Sequence, residues 1–490
     1  MSTARPFFRP LPPHELVLRR RALIEELAQA PGLLEKRIAI LGGSTTAELR
    51  SLLELFLLDC GIRPMFYESG YDRFYEEAAF SNPELERFRP DVAYIHTTVR
   101  NIPEFPAPRD TPEAVAALAD AVCSRFGRVW SGLVERYGCA VVQNNFDPPP
   151  LRPLGNLDAA APCGATRLVR ALNERFAQAA ARTPGLVIHD IDRLAAEAGL
   201  DAWHDSASWF AYKCAPGLAS LPVLARSVAG LLRAMFGKAS KCLALDLDNT
   251  LWGGVVGDDG PEGIRLGRES AEGEAYVAFQ QYVKALKARG VILAVCSKNE
   301  QASALEGLNH PDSVLRPDDF ALILANWEPK SRNLAVLAEA LNIGLDSVVF
   351  FDDNPAEREL VRRDLPEVAV PEPGPDVAGY AAALDRSRLF EVVGLSAEDL
   401  ERNAYYAANA RRRALAAEAG DYGDYLRSLE MEAEIGPFTP QYLERITQLT
   451  NKTNQFNLTT RRYTRLEIEA AAASDRAITV CARLRDRFGD

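Results

Sequence analysis

At 490 residues the chain has length for about three domains, and 47% hydrophobic with 25% charged residues is the balance of a globular protein with a sizeable core. A formal net charge of −12 disfavours nucleic acid and anionic membrane as general partners, and no apolar run approaches the roughly 20 residues of a membrane span. The start, Met1 to Pro6, lacks the apolar core of a signal peptide, and eight cysteines without paired spacing indicate neither disulfides nor a zinc cluster, so a reduced, cytoplasmic protein is expected.

Residues 1–36 read as a helical lead-in punctuated by Pro10, Pro12 and Pro13. Lys36 to Leu41 is a strand candidate that runs through Gly42-Gly43-Ser44-Thr45-Thr46 into a helical pattern from Ala47 to Leu58. Strand, glycine turn, helix is a βα unit. Further short apolar runs at Arg63–Tyr67, Val92–His96, Cys139–Gln143 and Leu186–His189 alternate with helical stretches, which predicts a doubly wound α/β domain. A second α/β series begins at Lys241, with strands expected at Cys242–Leu245, Val291–Val295, Ala321–Leu324 and Ser347–Phe351. Glu372-Pro373-Gly374-Pro375 reads as a turn or linker, 380–430 as helical and charged, and Gln448 to Thr460 as unusually polar. Near the end, Ile478 to Ala482 reads as a strand with no evident partner.

The second series carries the chemistry. Cys242-Leu243-Ala244-Leu245 is a buried parallel strand by pattern, so Asp246 and Asp248 stand at its carboxyl edge, where open α/β sheets bind ligands. Two carboxylates this close repel unless a shared proton or a cation relieves them, and Mg²⁺ is the natural hard cation. Ser297 ends the next strand, Lys330 follows in Trp327-Glu328-Pro329-Lys330, and Asp352-Asp353 follow the last strand. A hydroxyl can take a phosphoryl oxygen, a lysine can offset charge, and the later aspartates complete a metal site. The string Asp246-Leu-Asp248-Asn-Thr250-Leu251 matches the first motif of the haloacid dehalogenase (HAD) superfamily of phosphotransferases. That resemblance implies Asp246 as nucleophile, Asp248 as general acid/base, Asp246, Asp248, Asp352 and Asp353 around Mg²⁺, and Asn249, Thr250, Lys298 and Asn299 as substrate contacts. The intervals from Asp248 to Ser297 and from Lys330 to Asp352 leave no room for a large cap domain, so an open site is expected, suited to a macromolecular substrate or to a lid from a neighbour.

Cys296 precedes Ser297 and either packs in the core or faces the cleft, where lysines and a metal would favour a thiolate. Lys241 to Gly257, Val295 to Asn299, Phe351 to Arg358 and Leu449 to Asn457 together are similar to the FkbH-like family. The resemblance implies a glyceryl transferase/phosphatase of polyketide-type biosynthesis. It would take the small-molecule acyl phosphate 1,3-bisphosphoglycerate to a glyceryl-enzyme thioester, with Cys296 the candidate thiol and Cys242 read as core. The glyceryl group would then pass to the phosphopantetheine arm of an acyl carrier protein. The alternatives are a capless Mg²⁺-dependent HAD phosphatase on a small molecule or phosphoprotein, and a non-catalytic scaffold that docks carrier proteins.

At the amino end, Ile40-Leu-Gly-Gly-Ser44 resembles the first block of SGNH-type esterases, and Asp201-Ala-Trp-His204 has the spacing of their last. A Ser44, Asp201 and His204 set would be an acyl-transfer site. The aspartate usual before the serine is Gly43, and the middle block is the altered His96-Thr-Thr-Val-Arg-Asn101, so a scaffold or docking role is expected over hydrolysis. The tail is similar to an acetyltransferase-like (GNAT-like) domain, incomplete at Asp490, with Arg461 and Arg462 as candidate phosphate contacts. The expected fold is therefore α/β: an SGNH-like domain over 1–236, a capless HAD-like domain over 237–375, and a small GNAT-like α+β domain over 376–490.

Overall fold

The structure, a computed structural model, describes residues 5–395, 412, 421–452 and 461–487. The chain divides into two compact units, with the boundary in sequence between Arg233 and Ala234.

In the amino-terminal unit, β1 (Leu34–Gly42), β2 (Ile62–Glu68), β3 (Val92–His96), β4 (Ala140–Asn144) and β5 (Leu186–His189) form one parallel sheet in the order β2-β1-β3-β4-β5. Every residue of β3 is buried, as a central strand covered on both faces requires. Helix Pro112–Tyr137 lies on one face. Thr111 caps its first turn by accepting from the Ala114 amide, Pro112 presets its first dihedral, and Gly138 stops it in a left-handed turn. Its Phe126 and Trp130 pack on Phe176, with ring centroids 5.1 and 5.0 Å apart. Among the described residues one stretch, Leu218–Met235, is long and apolar enough to cross a membrane by length and composition, and 61% of it is buried in the fold.

In the second unit, β6 (Cys242–Leu245), β7 (Ile292–Ser297), β8 (Leu322–Ala325) and β9 (Val348–Phe351) form a parallel sheet in the order β8-β7-β6-β9. Leu245 pairs with Val295 on one side and Phe351 on the other, so β6 and β9 end level while β7 runs two residues further, through Cys296 and Ser297. That register delivers Asp246, Ser297 and Asp352 to one edge. One face of the sheet, with Ala244, Ala294, Cys296 and Phe350, packs on Leu334 and Leu337 of helix Lys330–Leu341. Helix Ala271–Ala288, capped by the Ser270 hydroxyl, brings Phe279 to within 5.1 Å of the Phe351 ring. Tyr380 stacks edge-on against both rings at 5.6 and 5.5 Å, so the chain just beyond residue 375 packs on this same sheet.

The tail holds an antiparallel pair, β10 (Glu432–Gly436) with β11 (Cys481–Arg485), and helices Leu443–Lys452 and Arg465–Ala472. The expected strand at 478–482 thus starts later and has a partner. Residues 396–411 and 413–420 of the charged segment expected over 380–430, and residues 453–460 of the polar one, lie outside the described residues. Arg462 donates to the Thr450 carbonyl at 2.9 Å, and Arg461 lies 4.8 Å over the Tyr463 ring and 3.6 Å from Glu467.

Candidate phosphoryl-transfer site

Asp246 leaves β6 with its amide still donating to the Phe351 carbonyl at 3.0 Å, which holds it beside β9. The chain then turns sharply. Thr250 and Leu251 amides donate to the Leu247 carbonyl at 3.1 and 2.7 Å, and Asn249 adopts φ +55°. Asparagine tolerates this left-handed geometry, and its side-chain oxygen fixes the turn by accepting from the Gly254 amide at 2.9 Å. Asn249 therefore shapes the loop.

Lys330, the first residue of its helix, is 3% exposed and puts its ammonium 2.9 Å from Asp246 Oδ1 and 2.5 Å from Asp352 Oδ2. Asp246, Asp352 and Asp353 present carboxylate oxygens that all lie within 4.8 Å of one another. Burial, and then the neighbouring Asp246 charge, push the Asp352 carboxyl up to about 7, and the same causes raise Asp353. Burial works against the charge of Lys330, but Asp246 and Asp352 outweigh it and hold the ammonium above its ordinary range. One cation among three carboxylates leaves net repulsion, and the donors are all hard oxygens. Such a set fits a small hard dication.

Asp248 is not among the three carboxylates that converge. Its carboxylate is taken up by Trp252 Nε1 at 2.9 Å, the Val256 amide at 3.0 Å and Asn299 Nδ2 at 2.9 Å. Burial is the main cause that pushes its carboxyl up. Asn299 thus orients Asp248. Lys298 reaches Glu357 at 2.7 Å, and Thr250 Oγ1 accepts from the Asp353 amide at 3.2 Å. Ser297 is buried at the end of β7.

Cys296 does not face the cleft. It is 0% exposed, packs in the core with Cys242, and donates its thiol toward the Lys330 carbonyl at 3.6 Å. Strand alternation carries Ser297 to the edge and leaves Cys296 inside. Burial pushes both thiols above their ordinary range, which disfavours the thiolate a nucleophile needs.

The esterase-like set is not assembled. Ser44 Oγ donates to the Ala215 carbonyl at 3.4 Å, whereas His204 Nε2 is committed to the Pro148 carbonyl at 2.7 Å and sits 3.6 Å from Asp147. Asp201 is exposed. Asp147, which the sequence reading missed, is the carboxylate beside His204, and it also accepts from the Val99 amide and Trp203 Nε1 at 2.7 and 2.8 Å. Asn101, from the altered middle block, donates to the Gly43 carbonyl at 2.8 Å. Another residue missed is Arg358, whose guanidinium donates to the carbonyls of Asp352 and Asp353 at 2.9 and 2.6 Å. Its place soon after the paired aspartates was the signal available.

No protein-family model and no curated protein sequence matches the chain. Among solved structures, the chain is similar to the N-terminal part of the protein BF1531 from Bacteroides fragilis, which contains a phosphatase domain and was crystallised in complex with Mg. The identity is 31%, the TM-score 0.71, and the match covers 77% of this chain and 99% of that one. A gut microbial diltiazem-metabolizing enzyme, BT4096, matches at 15% identity and a TM-score of 0.30 over 44% of this chain and 50% of that one, too slight a likeness to carry an argument. With the Bacteroides fragilis structure matched over nearly its whole length, the chain belongs to the same family as that phosphatase-domain protein.

Proposed function

We propose that the chain is a Mg²⁺-dependent phosphohydrolase working through an aspartyl-phosphate. The observation that carries this reading is the convergence of Asp246, Lys330, Asp352 and Asp353 at the level ends of β6 and β9. A carboxylate oxygen of Asp246 attacks the substrate phosphorus, and the bond from phosphorus to the leaving oxygen breaks. Asp248 gives that oxygen a proton. It then takes one from the water that attacks the aspartyl-phosphate, so phosphate leaves and Asp246 is restored. Mg²⁺, held by Asp246, Asp352 and Asp353, supplies charge neutralisation when bound. Lys330 contributes a fixed positive charge to the same end. The Mg in the Bacteroides fragilis relative supports the choice of ion.

The motif strings shared with FkbH-like proteins favour a second, finer reading: glyceryl transfer from 1,3-bisphosphoglycerate to an acyl carrier protein. The connection from β6 to β7 supports it by leaving the site open. It consists of a short turn-rich segment and helix Ala271–Ala288, with no inserted domain. That route also needs a thiol at the phosphate site, and the fully buried Cys242 and Cys296 favour hydrolysis over it.

One incubation separates the two. Protein, Mg²⁺ and 1,3-bisphosphoglycerate are combined with and without holo-carrier protein, free phosphate is measured, and the carrier is weighed by intact mass spectrometry. Hydrolysis of this compound predicts phosphate release without a carrier adduct, glyceryl transfer predicts a glyceryl adduct, and the absence of both products contradicts glyceryl transfer and excludes 1,3-bisphosphoglycerate as the substrate of a hydrolase.

A further inference from the structure

The Asp352-Asp353 pair follows β9 directly, where the sheet no longer holds the backbone, yet two ligands to one ion must keep a fixed spacing. On one side, the Asp353 amide donates to Thr250 Oγ1 at 3.2 Å. On the other, one guanidinium nitrogen of Arg358 donates to the carbonyls of both aspartates, at 2.9 Å to Asp352 and 2.6 Å to Asp353. Arg358 sits in helix Pro355–Asp364, one turn on, and is 8% exposed. Its other terminal nitrogen meets Glu372 at 2.8 Å, and Glu372 is also held by Arg362 at 2.7 Å. Arg362 in turn donates to the Val370 carbonyl at 2.8 Å. The guanidinium is thus fixed at its far end before it grips the aspartates. Burying an arginine carries a desolvation cost that one carboxylate partner offsets only in part. A lysine could not span these acceptors and Glu372 with one planar fork.

We infer that Arg358, anchored by Glu372, is a positioning residue for the metal site: it sets the spacing of the Asp352 and Asp353 carboxylates by clamping their backbone carbonyls. It touches neither substrate nor ion in this role. The inference rests on the Mg²⁺-site reading of the three aspartates, and not on which phosphate compound is the substrate.

Mn²⁺ binding by the full chain, followed by electron paramagnetic resonance or calorimetry without substrate, tests it. Loss of an outer partner of a metal ligand commonly weakens affinity by roughly 10–100-fold. Arg358→Gln is expected to weaken Mn²⁺ binding by about tenfold or more. The Mg²⁺ concentration for half-maximal phosphate release should rise in parallel, with a smaller fall in kcat at saturating Mg²⁺. Arg358→Lys should restore only part of the affinity. Glu372→Gln removes the anchor from a half-exposed position and keeps the test valid if Arg358→Gln does not fold; its expected loss is intermediate. Unchanged Mn²⁺ affinity in folded Arg358→Gln or, failing that variant, in Glu372→Gln overturns the inference, provided Asp353→Asn loses it. A wild-type chain that binds no Mn²⁺ overturns it together with the metal site. Mn²⁺ binding that depends on Arg358 in a protein that releases no phosphate supports the inference and contradicts the hydrolase reading alone.

Discussion

Lys330 shows how much one side chain has to balance at this site. It is buried with Asp246 and Asp352, so its removal leaves two carboxylates facing each other in low dielectric. Breaking one partner out of a buried ion cluster costs about 3–5 kcal/mol. Lys330→Met is therefore expected to lower the urea midpoint markedly at neutral pH, to recover part of it with added Mg²⁺, and to lose roughly a hundredfold or more in phosphate release. A variant with wild-type turnover contradicts the role. Cys296 makes the opposite prediction. Cys296→Ala removes a sulfur from a packed core at a cost of about 1–2 kcal/mol, and the phosphate-release rate of the folded variant should stay within a few-fold. Full loss of turnover at unchanged stability would return the thiol to the chemistry. The sequence named Asp246, Ser297, Lys330 and Asp352 because their positions follow from strand ends. It could not settle Cys296, since at a strand end alternation and backbone turning give opposite answers, nor foresee that Asp248 would be taken up by Trp252 and Asn299.

At the scale of elements, the turn after β6 is what makes a strand end into a site. Asn249 at φ +55° turns the chain back after Asp248 while Asp246 stays bonded to β9. A β-branched residue is poorly tolerated there, and the Asn249–Gly254 bond would be lost as well. Asn249→Val is expected to cost about 2 kcal/mol in urea unfolding and to depress kcat, whereas Asn249→Gly keeps the dihedral and should lose less of both. Equal effects would mean the dihedral is unimportant. Most strands were legible in the sequence because buried parallel strands are continuous apolar runs, as in Cys242–Leu245. The terminal strand was misplaced: in Ile478 to Arg485 the apolar residues run ahead of the backbone pairing, which depends on β10 far away in sequence. The first two esterase-like blocks do follow β1 and β3, but the last lies in a short helix, Leu200–Trp203, and local motif spacing cannot report that His204 would be held by Pro148 and Asp147.

At the scale of the whole molecule, the two sheets place polar residues at their carboxyl edges for different ends. In the second unit that edge gathers acids around one lysine. In the first it is self-satisfied. His96 is fully buried, donates through Nε2 to the Ala215 carbonyl at 2.7 Å, and its Nδ1 faces Tyr94 and Asn144 at 3.3 and 3.2 Å. Burial lowers its pKa from 6.5 to about 4, the Ala215 bond opposing only in part. The sign follows directly. Above pH 6.5 folded and unfolded chains are both neutral at this residue and it adds no pH dependence. Below that, the unfolded chain binds a proton that the folded one refuses. Stability should therefore fall as the pH drops from 6.5 to about 4, by about 3 kcal/mol in all from this group. Asp147, with its carboxyl raised by burial, acts in the opposite direction, so the comparison is made against His96→Gln: the difference between the two pH-stability curves should carry that slope. Parallel curves would contradict it.

In aspartyl-phosphate chemistry it is Asp246 that supplies the attacking oxygen to phosphorus. Rapid quenching of the protein with ³²P-labelled acetyl phosphate and Mg²⁺, followed by peptide mapping, tests this directly. The predicted result is a hydroxylamine-labile label on the peptide that contains Asp246, absent with chelator and absent in Asp246→Asn. Phosphate release that continues undiminished in Asp246→Asn, or a label on another residue, would contradict it.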